Sequence, residues 1–183
     1  MSPELQNCLE VSKRVKIFIL TVIAIFLPIL IESMSLILQL KNKKLTRWFG
    51  KNAFNIHAMG TAIFWIIAFF SIAILQFEKH PLFHNNTFLK YTGLILLILG
   101  IVLALWAFSL LGLKRTLCIN FFESYVPIVK TSLYGYIKNP MGIGLWVTFI
   151  GFAFFTRSIY NLIIAIEFVV IMIPHIMLEN IPL

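Results

Sequence analysis

The sequence predicts an all-α fold: an integral membrane bundle of about five transmembrane helices, with a tight hairpin between the last two. Three observations predict it. The 183 residues are 60% hydrophobic and only 12% charged, where a soluble domain is nearer half apolar and a quarter charged. Mean hydropathy is +0.95, and the charges gather between long apolar runs. The strict alternation of a membrane barrel is absent.

Spanning a bilayer takes about 20 apolar residues. The first such run extends from about Val15 to Leu40, with Pro28 as a point where it can kink. The second runs from about His57 to Phe77 and the third from about Thr92 to Leu113. A mixed loop covers Lys114 to Asn139. The fourth span is Pro140 to Thr156 and the fifth Ile159 to Leu178. Only Arg157 and Ser158 separate the last two, so these helices must run antiparallel and touch. The chain reads as one membrane domain, 1–183, without internal repeats.

The net charge is +8. Because Lys and Arg lie between spans, they report topology and headgroup contact, not a nucleic-acid partner. Lys41, Lys43, Lys44, Arg47 and Lys51 follow the first span, and Lys114, Arg115, Lys130 and Lys138 follow the third. The opposite side carries Lys79, Lys90 and Arg157, with Lys13, Arg14 and Lys16 near the start. The balance puts the N-terminus outside and the C-terminus in the cytosol. Cys8 and Cys118 fit no metal-ligand spacing and read as ordinary thiols. No metal site is expected. His57, His80 and His84 read as solvated or interfacial.

The polar groups able to do chemistry sit at the ends of the last two spans. "YGYIKNPMGIG" opens the fourth. Pro140 suits the first turn of a helix, where its missing N–H costs nothing, and Asn139 falls where an N-cap belongs. Lys138 stands beside it. A helix start with a lysine favours a carboxylate or phosphate, and Gly142 and Gly144 leave the first turn bare of side chains. The same spacing also describes a plain helix start with a snorkelling lysine. In the fifth span His175 and Glu179 share a face at i and i+4. Glu167 lies mid-span and must be protonated, paired or facing a cavity; Glu32, in the first span, poses the same problem.

These segments carry a resemblance. "SLYGYIKNPMGIG", then "GFAFFTRS", then a span ending "HIMLENIPL", resemble the small integral-membrane methyltransferases of the isoprenylcysteine carboxyl methyltransferase and phospholipid methyltransferase type. Tyr134, Tyr136, Asn139, Pro140 and Gly144 match that pattern, and Lys138 replaces an arginine. Gly151 and Ser158 fit the hairpin, and Glu179 fits the first acidic position after it. The likeness covers about Leu94 to Leu183, so the chain divides into 1–90, without a motif, and a methyltransferase-like core at 91–183.

The resemblance implies S-adenosylmethionine as methyl donor, taken from the cytosol, and a lipid or lipidated acceptor arriving from the membrane. It implies donor contacts at Tyr136, Lys138, Asn139, Pro140, Gly144 and Glu179. His175 and Glu179, with Glu123, are the candidates for a general base. Departures stand beside these matches. Ser132 and Leu133 replace Gly-Pro, Gly142 replaces a tyrosine, Asn180 replaces a second glutamate, and the chain ends at Leu183 where the family continues with a charged tail. They favour the alternative of a family member without catalysis, acting as a lipid-binding or structural membrane protein. A sterol-type reductase and a channel are further alternatives.

Overall fold

The computed structural model describes residues 2–77, 86–123, 132–137 and 139–179. Among them the chain is helical: α1 Pro3–Leu40, α2 Lys44–Phe49, α3 Ala53–Gln76, α4 Thr87–Leu111, α5 Leu113–Thr116, α6 Leu133–Tyr136, α7 Pro140–Thr156 and α8 Ile159–Glu179. Short 3-10 turns at Gly50–Asn52 and Ile119–Phe121 join them. The five long helices, α1, α3, α4, α7 and α8, are the five expected spans.

Their boundaries differ from the sequence reading for local reasons. α1 has 38 residues, about 57 Å of helix, against a hydrocarbon core of ~30 Å. Ser2 caps it by accepting from the Leu5 amide at 3.4 Å, so the polar N-terminal segment is already helical. Its first turns extend beyond the bilayer. The helix runs unbroken through Pro28. Asn86 starts α4 early by accepting from the Phe88 amide at 2.8 Å. Gly112, at φ 75°, ends it, because a left-handed residue cannot continue a right-handed helix.

The long helices pack in the order α4–α7–α8–α1–α3. Among the described residues α3 and α4, the two ends of this series, do not form a packed pair. The α4–α7 contact is a seam of small residues. Gly93, Gly100 and Ala107 are buried at seven-residue intervals on α4, and Gly144 and Gly151 at the same interval on α7. A Cβ at Gly93 would lie 2.3 Å from the Phe155 amide nitrogen, and one at Gly151 2.3 Å from that of Leu97. Backbones approach this closely only where no side chain intervenes.

The α7–α8 turn is as short as the sequence demands. Arg157 takes a left-handed conformation, φ 56°, and Ser158 Oγ accepts from the Asn161 amide at 3.3 Å to start α8. Asn161 and Gln76 exchange two amide hydrogen bonds, 3.0 and 3.2 Å, and Asn161 also donates to Thr156 Oγ1 at 2.9 Å. This ties α3 to α8 on one side of the membrane. In the core, Phe168 stacks on Phe149 at 4.5 Å and meets Trp65 edge-on. Ile25, Ile29, Ala68 and Met172 complete that cluster.

α7 is the shortest span, 17 residues or about 26 Å. Its start is therefore recessed, level with the last turns of α8 rather than beyond them. That recess brings the polar groups together.

Candidate functional site

The site is built on the side of the bundle where α1, α4 and α8 end and α3 and α7 begin. At α7, Asn139 caps the helix: Oδ1 accepts from the Gly142 amide at 2.8 Å, with Pro140 at the first helical position. Its Nδ2 donates to Glu179 Oε2 at 3.1 Å. One side chain thus closes the start of α7 and clasps the end of α8. The other oxygen, Glu179 Oε1, lies 3.4 Å from His175 Nε2, one helical turn earlier.

His175 is the hub. It is 4% exposed. Its Nδ1 meets Ser33 Oγ at 3.0 Å, and its Nε2 also faces Glu32 Oε2 at 3.8 Å. Glu32 is 6% exposed, so the membrane-embedded carboxyl of α1 reaches the imidazole of α8. Cys118, in the left-handed region at φ 59°, closes the cluster from the α4–α6 connection. Its thiol donates to Glu179 Oε1 at 3.3 Å and lies 4.0 Å from Glu32 Oε1. Burial first, and then the two carboxylates, push the Cys118 thiol well above its ordinary range, so it remains a donor. The same causes, burial and then Glu179, raise the Tyr134 phenol. A maleimide at pH 8 therefore labels exposed Cys8 and spares Cys118 until the bundle is unfolded in SDS. Equal labelling of both in the folded protein would contradict this packing.

The cluster forms the polar end of a cavity of about 390 Å³. Beyond Glu32, Asn139, His175 and Glu179 the lining is almost wholly apolar: Trp65 and Phe69 of α3, Leu105 and Phe108 of α4, Phe149 of α7, Phe168 and Met172 of α8. Phe69 is 59% exposed and Leu105 63% exposed. They stand on the two helices that do not pack on each other, so the cavity opens to hydrocarbon between α3 and α4. Among the described residues no Lys or Arg lines it. Its ionisable lining among those residues is two carboxyls and one imidazole.

The sequence candidates fall in different places. His175, Glu179 and Asn139 come together, and Pro140 is buried beside them. Gly144 belongs to the helix seam: a Cβ there would meet the Ala104 amide nitrogen at 2.6 Å. The first turn of α7 is not bare at Gly142 either, where Asn139 and Ile176 stand at 3.0 and 3.3 Å from a Cβ. The Tyr136 ring is 94% exposed. Lys138 lies outside the described residues, as do His80 and His84. Glu123 is exposed and does not line the cavity, and Glu167 Oε2 is buried without a hydrogen-bond partner, also outside the lining. His57 is corrected: it is 6% exposed, bonded to Ser35 at 2.7 Å and packed on Phe122, because α1 and α3 close over it. Sequence reasoning undervalued Glu32, which was visible as the only acidic residue within the first span's apolar stretch. Nothing in the sequence marked Ser33, Cys118 or Thr61.

The described residues form a multi-pass helical membrane protein with a carboxyl–imidazole cluster at the polar end of an otherwise apolar cavity. Residues 89–181 match the model of the phospholipid methyltransferase family, and the chain belongs to that family. This makes it a membrane methyltransferase in general character. No curated protein and no solved structure matches the chain.

Proposed function

We propose that the chain transfers a methyl group from S-adenosylmethionine to the amine of a membrane lipid, at the cytosolic face. The observation that carries this reading is the Glu32–His175–Glu179 cluster at the polar end of a cavity open to hydrocarbon. An apolar slot suits acyl chains, and the Glu32 and Glu179 carboxyls suit an ammonium better than a carboxylate acceptor.

The residues also fit the donor, which supplies an electrophilic methyl on a cationic sulfur. A negative cavity end favours that charge. Glu179, partly exposed with 26% of its side chain accessible, accepts in this reading from ribose hydroxyls or the donor's amino group. Lys138 and the α7 start are assigned to its carboxylate. The enzyme's main task is then to bring two bound groups into line with water excluded. The buried imidazole of His175 takes the proton an ammonium must lose, and Glu179 connects it to the aqueous side.

The test is equilibrium binding of S-adenosylmethionine to the purified protein in nanodiscs, with Asn139→Ala and Lys138→Ala alongside. Wild type binds saturably and both variants lose at least about tenfold in affinity, as expected for a charged or bidentate hydrogen bond removed. Asn139→Ala also costs roughly 1 kcal/mol of stability through the lost cap. A folded wild type that binds no donor at millimolar concentration overturns the reading in favour of a non-catalytic lipid-binding role.

A further inference from the structure

The family match begins at residue 89, yet the cavity is completed by α1 and α3, which precede it. Two of their side chains, Thr61 and Glu32, line that cavity with hydrogen-bonding capacity to spare.

Thr61 is 1% exposed, lines the cavity, and its Oγ1 has no hydrogen-bond partner. Helical threonines usually satisfy their hydroxyl on the carbonyl four residues back. Thr21, Thr116, Thr148 and Thr156 all do so here, at 2.8 to 3.0 Å. Thr61 does not, and an unpaired buried hydroxyl facing a cavity points to a ligand atom.

Its neighbour follows from the helix register. α1 and α3 are antiparallel, with Ser35 bonded to His57 and Thr21 to the Ser71 carbonyl. Both bonds obey one register, and it sets Thr61 opposite Ile31, beside Glu32. Glu32 also lines the cavity, and its nearest polar groups, His175 Nε2 and the Cys118 thiol, stand at 3.8 and 4.0 Å. These are beyond hydrogen-bond length for a carboxylate. Two buried hydrogen-bond acceptors, a carboxyl and a hydroxyl, thus face the same space at the same depth, one step from the imidazole.

We propose that Glu32 and Thr61 hold the acceptor nitrogen and set which methylation state is accepted: a primary or secondary amine, not a tertiary one. This rests on the methyltransferase reading above. The incoming ammonium gives a proton to His175. The neutral primary amine keeps two N–H groups, one for Glu32 and one for Thr61, and its lone pair is left free. That lone pair forms the N–CH3 bond as the sulfonium C–S bond breaks and its electron pair returns to sulfur. A neutral secondary amine keeps one N–H, so one acceptor goes unpaired. A tertiary amine keeps none and strands both. Each stranded buried group lowers turnover by roughly 5- to 150-fold.

The experiment uses full-length protein in nanodiscs of phosphatidylethanolamine or of its N,N-dimethyl derivative, with methyl-labelled S-adenosylmethionine. Wild type is expected to prefer the primary amine by tenfold or more in kcat/KM. Glu32→Gln and the near-isosteric Thr61→Val should each lower kcat/KM for the primary amine by about tenfold and narrow the preference between the two lipids; Thr61→Val, which removes no charge, should leave donor Kd within twofold. An active wild type that treats both lipids alike overturns the assignment, as do folded variants that keep the wild-type ratio. A wild type that binds no donor defeats the methyltransferase reading itself and the assignment with it; the donor-binding measurement tells the two failures apart.

Discussion

Replacing His175 with glutamine is expected to slow methyl transfer at pH 7 by roughly 10²- to 10³-fold while the protein still binds its donor. The magnitude follows from the proposed amine acceptor. A lysine-like ammonium with a pKa near 10.4 is free amine in only about one molecule in 10³ at neutral pH. In the proposed reaction His175 removes that limit; its Nε2 faces both carboxyls and its Nδ1 meets Ser33. Glutamine retains hydrogen bonding to these neighbours and cannot take a proton. The deficit should shrink as pH rises toward 10, where the amine deprotonates without help. Single-turnover rates with labelled donor across pH 6–10 check this. A variant slowed equally at every pH would make His175 a positioning residue only, and a variant with the wild-type rate would remove it from the reaction.

Replacing Gly151 with leucine should destabilise the bundle strongly. Its Cβ would fall 2.3 Å from the Leu97 amide nitrogen and 2.8 Å from the Leu96 carbonyl carbon. The clash is with backbone, which no rotamer change relieves, so α4 and α7 must separate along their whole seam. Overpacking of this kind costs at least about 3 kcal/mol, a fall of roughly 6–12 °C in Tm for a chain of this size. Gly60→Leu is the control, since nothing lies within 4 Å of a Cβ there. Thermal unfolding of both variants in detergent decides it. Equal melting temperatures would mean that α4 and α7 do not meet as described.

The five spans and their order were legible because hydrophobic length is a property of local sequence. The Asn139–Pro140 start and the Arg157–Ser158 turn were legible for the same reason: caps and tight turns are made by residues adjacent in the chain. Partnership was not. Glu32 and His175 are both visible as costly groups in apolar runs, but which embedded carboxyl meets which imidazole depends on how α1 and α8 rotate about their axes. Gly144 shows the converse limit. A glycine near a helix start reads equally as access for a ligand or as access for another backbone, and here Ala104 occupies that space. The seven-residue spacing from Gly93 to Gly100, and from Gly144 to Gly151, was the signal for the second reading. The length of α1 was hidden because a polar overhang carries no hydrophobic period, although Ser2–Pro3 is itself a cap and first turn.

The pairing of α1 with α8 also gives the molecule a clock. The first helix enters the bilayer carrying Glu32 and Ser33, and 142 residues separate Ser33 from His175. At ordinary translation rates that distance is roughly 7–30 s of synthesis. Throughout that interval the α1 carboxyl has no imidazole beside it, and a lone ionisable group in hydrocarbon is costly. Only the last span relieves it. A nascent chain interrupted before α8 is therefore chemically distinguishable from one that includes it, and the same carboxyl that lines the cavity also marks the unfinished protein within the membrane.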